Sequence, residues 1–148
     1  MRNAARRAAF PLAVCLVFGC ARKADPVRET IDAVVRAANA RDVQALLARV
    51  APDFEAADGA NRLDVEARLQ RYFAAYEILN VRVSDLQIER GENAARVRLR
   101  AEMTGQPRKV GGLDGLLPSA AKYDFELRLV RDGEAWKLAW AAWVPVEG

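Results

Sequence analysis

The stretch "ARVRLRAEM", residues 95–103, decides the fold. Ala95, Val97, Leu99, Ala101 and Met103 occupy every second position, and Arg96, Arg98, Arg100 and Glu102 fill the places between. A period of two belongs to a β-strand with one buried face and one wet face. The same period recurs on both sides. "VRVSDLQIE" (81–89) alternates with a phase slip at Ser84-Asp85, which predicts a β-bulge. "KYDFELRLV" (122–130) turns Tyr123, Phe125, Leu127 and Leu129 inward, and "AWKLAWAAWV" (135–144) is a last strand carrying all three tryptophans. The short turns "RGEN" (90–93) and "RDGE" (131–134) make hairpins of the outer pairs. The middle connection, 104–121, is much longer.

Upstream the period becomes 3.6. "PVRETIDAVVRAANARD" (26–42) sets Val27, Ile31, Val34, Val35 and Ala38 on one helical face, with Asp25 as N-cap and Pro26 at the first helical position. Asp42 caps a second helix, "VQALLARV" (43–50), which turns Leu46, Leu47 and Val50 inward and ends before Pro52. A third helix is predicted over 64–79, with Val65, Leu69, Tyr72, Phe73 and Tyr76 as its apolar stripe. The expected class is α+β: three N-terminal helices packed on a curved four-stranded antiparallel sheet, cone-like, with the outer sheet face in water. On that face Arg96, Arg98 and Arg100 stand against Asp124, Glu126 and Arg128, an arrangement expected to form cross-strand ion pairs.

Two stretches carry a family resemblance. "AANARDVQALLARVAPDF" (37–54) and "RDGEAWKLAWAAW" (131–143) resemble the nuclear transport factor 2-like (SnoaL-like) superfamily, over about residues 26 to 146. The resemblance implies a cone of curved sheet and three helices. It also implies a choice of roles, since members include isomerases, dehydratases, epoxide hydrolases and non-enzymatic binding domains. Steroid-isomerase-like members use an inward tyrosine and two acids, and here the first helix offers only aliphatic residues inward. The cyclases of the family rely on histidine or aspartate in the cone.

The chain has no histidine, and its two cysteines are Cys15 and Cys20. Ser-His-Asp and Cys-His catalysis and histidine zinc sites are thereby excluded. No metal-ligand set and no cofactor motif is found; "VGGLDG" (110–115) lacks the lysine and the serine or threonine of a phosphate loop. The aromatic candidates for the mouth of the cone are Tyr72, Tyr76, Trp136 and Trp140, against a competing reading as core packing. Asp53 and Glu102 are the candidate acids, the first read as a turn residue and the second as a surface one. In the long connection, Leu113, Leu116 and Leu117 are expected either to fold back over the cone or to form a lid or docking patch.

The first residues, "MRNAARR", are basic, and "AAFPLAVCLVF" (8–18) is an 11-residue uncharged run. That order is a secretory signal peptide, and the run is well short of the roughly 20 residues of a spanning helix. Val17-Phe18-Gly19-Cys20 resembles a bacterial lipobox, with Phe18 where a small residue is usual. The resemblance implies cleavage before Cys20 and acylation, of the palmitate kind, at its sulfur. The alternative is ordinary cleavage after Ala21 and release. The expected organisation is a signal peptide over 1–19, a tether over 20–25 reaching about 20 Å at most, and the cone domain over 26–148.

The whole chain carries 23 basic and 20 acidic residues; losing Arg2, Arg6 and Arg7 leaves 20 of each. No nucleic-acid partner is expected of a neutral domain. The expected function is that of a lipid-anchored domain of the bacterial cell envelope, on the periplasmic face of the outer membrane. It would be non-catalytic and bind an apolar small ligand or an envelope protein at the cone mouth. The alternative is a small-molecule isomerase, dehydratase or hydrolase using carboxylate or tyrosine acid–base chemistry.

Overall fold

The computed structural model describes residues 23–108 and 118–147. Cys20, Leu113, Leu116 and Leu117, and with them the lipobox and the leucines of the long connection, lie outside the described residues. No helix among the described residues is long and apolar enough to cross a membrane.

The first helix, α1 (Pro26–Ala40), begins where the Asp25 carboxylate accepts the Val27 N–H at 2.9 Å. It stops at Arg41, whose φ of 54° lets the Asp42 N–H reach back to the Ala37 carbonyl at 2.9 Å. The second helix, α2 (Val43–Leu47), is capped by Asp42 through the Ala45 N–H. It is shorter than the periodicity indicated. Val50 is not its last inward residue but the first of a strand, β1 (Val50–Ala56).

The third helix, α3 (Arg62–Ala75), opens on a reciprocal capping box between Asn61 and Asp64. It then passes straight into β2 (Tyr76–Arg90). Tyr76 to Leu79, expected to be helical, are therefore strand. The reason is pairing: Tyr76 lies opposite Pro107, and Leu79 opposite Gly105. Gly105 is required at that place, because a Cβ there would stand 2.7 Å from the Tyr76 ring and 2.8 Å from the Ile78 carbonyl.

The remaining strands are β3 (Ala94–Pro107), β4 (Ala120–Asp132) and β5 (Ala135–Pro145). The sheet has five strands in the order β1-β5-β4-β3-β2, not four. β1 pairs parallel to β5 and the other neighbours are antiparallel. β1 escaped the sequence reading because it is short, contains Pro52 and breaks register between Val50 and Glu55, so no period of two forms. As an edge strand it tolerates the missing proline N–H.

Register shifts also interrupt the antiparallel pairs. Asp85 (φ 53°) lies in a register shift of β2 between Ser84 and Gln87, at the slip in alternation. A second shift lies between the pairs Arg128–Trp140 and Leu129–Leu138. The outer face is charged and internally paired: Arg100 grips Asp124 through two hydrogen bonds of 2.7 and 3.0 Å, and Arg96 approaches Glu126 at 3.4 Å. Such exposed pairs contribute little each. The core lies between the other face and the helices, with Val27, Leu47, Val97 and Leu129 at its centre.

Candidate ligand cavity

The end of the sheet that carries the two short hairpins is sealed. At that end Val97 and Leu129 are fully buried and Trp136 is 3% exposed, whereas Trp143, near the far end of β5, is 37% exposed. The start of α1 closes the buried end. The Thr30 hydroxyl donates to the Trp136 carbonyl at 3.0 Å, and Arg90 pairs with Asp25 at 3.1 Å while lying over the Trp136 ring. At the opposite end the connection between Pro107 and Ala120 lies in part outside the described residues.

Between α1, α3 and the sheet lies a cavity of about 420 Å³, within the range of small-molecule sites, roughly 300–1,000 Å³. From α1 come Ile31, Val34, Val35 and Ala38; from α3, Val65, Arg68, Leu69, Tyr72 and Phe73. The sheet supplies Val81, Val83, Leu99, Ala101 and Met103, then Tyr123, Phe125 and Leu127, and finally Leu138, Ala141 and Trp143. A second groove of about 380 Å³ runs beside Arg98, Arg100, Asp124 and Glu126. Its arginines are already engaged with carboxylates, so the apolar cavity is the better ligand site.

Among the described residues, the lining side chains that carry a polar group are Arg68, Tyr72, Tyr123 and Trp143, and no carboxylate lines the cavity. Arg68 and Tyr72 are one helical turn apart on α3. Arg68 donates to Asp58 at 2.7 Å, both side chains being about half exposed. That bond, with a second from the Ala60 N–H, holds the Asp58 carboxyl below the usual carboxylate range. The Arg68 charge is thus matched.

The Tyr72 hydroxyl meets the Met103 sulfur at 3.5 Å. Burial, then the neighbouring Tyr76 and Tyr123 phenols, push its ionisation well above the ordinary phenol range. A phenol so placed stays protonated and offers a hydrogen bond; it is a poor base.

The sequence-derived candidates separate. Tyr72 is on the cavity wall. Tyr76 is 1% exposed, packs beneath Tyr72 and donates to the Pro118 carbonyl at 2.9 Å. Trp136 is buried at the closed end. Trp140 lies opposite Arg128 on the charged face, because the register shift in β5 reverses the phase of alternation. The same shift turns Ala141 and Trp143 inward. Trp140, a candidate for the mouth, is therefore not on the cavity wall, and Trp143, which was not a candidate, is. Asp53 is exposed on β1 and Glu102 pairs with Lys122 at 3.3 Å, so neither acid reaches the cavity. Arg68 was missed, although it sits three residues after Val65 and four before Tyr72, a charge within an apolar stripe.

No family model and no curated protein matches the sequence. Solved structures do match. A candidate scytalone dehydratase from Novosphingobium aromaticivorans superimposes with a TM-score of 0.72 at 15% identity, over 82% of this chain and 83% of that one. A candidate dehydratase of the nuclear transport factor 2-like family from Streptomyces avermitilis gives 0.69 at 16%, over 83% and 96%. Bd1075 of Bdellovibrio bacteriovorus gives 0.68 at 13%, over 81% of this chain but only 40% of that longer one. The chain has the nuclear transport factor 2-like fold. At these identities the likeness is one of fold and does not extend to activity.

Proposed function

We propose that the protein is a binding domain of the bacterial cell envelope, anchored through lipid on Cys20, whose cavity holds a small apolar molecule without transforming it. The observation that carries the reading is the cavity wall. Its volume of about 420 Å³ suits a ligand, and among the described residues it holds no carboxylate, histidine or lysine to move a proton. Its phenol at Tyr72 is held in the protonated form. The dehydratase names of two fold relatives belong to those proteins, and an acid–base enzyme would need a group that the described residues of this wall do not supply.

Two measurements test the proposal. Organic extraction of the purified protein, followed by mass spectrometry, is expected to release an apolar small molecule in stoichiometric amount. An empty extract, together with no uptake of an apolar fluorescent dye, would overturn the binding role. Incorporation of labelled palmitate in a bacterial host, abolished by Cys20→Ser, is expected for the anchor; unchanged labelling in that variant would overturn it.

A further inference from the structure

Resting on the lipid anchor proposed above, we infer that the domain meets the bilayer with its hairpin end, the turns at 90–93 and 131–134, and holds the end where β2 begins away from the membrane. The placement follows from the root of the tether. Asp25 accepts the Val27 N–H at 2.9 Å and pairs with Arg90 at 3.1 Å, and Arg90 in turn lies over the Trp136 ring. The Thr30 hydroxyl adds a bond of 3.0 Å to the Trp136 carbonyl. The start of α1 is thereby fixed to the last residue of β2 and the second of β5. Cys20 is five residues before Asp25, a span of about 20 Å at most. From that root α1 runs beside β2 toward the other end, where Asn39 makes two hydrogen bonds to the Val81 backbone and Arg41 donates to the Tyr76 carbonyl. β2 has 15 residues, and at roughly 3.3 Å each it is about 45 Å long. The tether is less than half of that.

The chemistry of the two turns says what kind of contact this is. They carry Arg90 and Arg131 against Glu92, Asp132 and Glu134, and no large apolar side chain. Arg90 is paired with Asp25, and Lys137 beside the second turn is paired with Asp132 at 3.1 Å. Such a surface has neither the basic cluster that binds anionic headgroups nor an apolar group to enter the hydrocarbon. The broad outer face of the sheet offers no competing contact, since Arg96, Arg98 and Arg100 each lie beside a carboxylate. The short tether alone therefore sets the orientation, which is independent of lipid charge and of salt.

The test uses the acylated protein, extracted from a bacterial host and reconstituted into vesicles of phosphatidylcholine, with or without phosphatidylglycerol. With Cys15 removed and Cys20 acylated, an introduced cysteine is the one reactive thiol. Glu92→Cys and Glu134→Cys place it on the hairpin turns, and Ser119→Cys places it at the other end; all three positions are exposed. Energy transfer from a donor on that thiol to acceptor-labelled headgroups is expected to be stronger from 92 and 134 than from 119. The difference should be the same in both vesicles and in high salt. Equal transfer from the three positions, or stronger transfer from 119, overturns the orientation. A difference that vanishes in high salt or without phosphatidylglycerol overturns its assignment to the tether. Flotation with the vesicles checks the anchor separately: an acylated protein that fails to float, or a Cys20→Ser variant that floats, overturns the anchor reading itself.

Discussion

The rings of Tyr72 and Tyr76 stand 5.0 Å apart, one on the last turns of α3 and the other on the first residue of β2. They do different work. Tyr72 faces the cavity, while Tyr76 is sealed beneath it and donates to the Pro118 carbonyl at 2.9 Å. The helix-to-strand junction between them separates a cavity-facing phenol from a structural one.

Tyr76→Phe should therefore lower stability by about 0.5–1.5 kcal/mol, the net value of a typical hydrogen bond, and leave ligand affinity alone. Tyr76→Ala should cost about 3–5 kcal/mol, as large-to-small core changes of aromatic residues do. Urea unfolding measures both. Equal stability of Tyr76→Phe and the wild type would mean that the Pro118 contact contributes nothing.

Gly105→Ala is expected to destabilise by about 1–3 kcal/mol, the usual range for overpacking. One of the atoms its Cβ would meet is the Ile78 carbonyl oxygen at 2.8 Å, which is backbone and cannot rotate away. A lowered thermal midpoint is the readout, and an unchanged midpoint would contradict the close approach of β2 and β3 at this point.

The Tyr72 phenol sets a limit at high pH. Its folded-state ionisation is raised above the unfolded value, so the stability it supports is complete below about pH 10 and is lost as pH rises further. In that window the unfolded chain gives up a proton that the folded chain retains. Stability measured from pH 9 upward should fall less steeply in Tyr72→Phe than in the wild type; identical slopes would place the phenol in water.

At low pH the exposed pairs act with the opposite sign. Arg100 holds the Asp124 carboxyl below its ordinary range, so the stabilisation is present above about pH 4 and fades as pH falls through the depressed value. Because both partners are exposed, the effect should be small and should shrink in high salt. Asp124→Asn should flatten the acid limb of the pH–stability curve slightly, and a large change would show that the pair is less solvated than its exposure indicates.

Trp143 and Trp140 offer a direct check on the shift in β5. Ligand-dependent fluorescence should disappear in Trp143→Phe and persist in Trp140→Phe, since only Trp143 lines the cavity. The reverse result would place Trp140 inward and remove the shift.

The sequence by itself determined the strands of the hairpins, the inward face of α1 and the charged face of the sheet. Each is a local consequence of period: alternate residues of 95–103 must face opposite sides, and Val27 and Ile31 must share one side of a helix. It also determined the slip at Ser84-Asp85, because a broken alternation is visible along the chain. Only the tertiary structure decided three other features. Val50–Ala56 became a strand because β5 offered a parallel partner, Tyr76 left the helix because β3 lay opposite, and Trp140 and Trp143 exchanged faces because β4 and β5 pair out of step. The composition of the cavity belongs with these three. Arg68, Tyr72, Tyr123 and Trp143 are up to 75 residues apart in the chain, and backbone hydrogen bonding between distant strands, which no local pattern records, is what brings them to one wall.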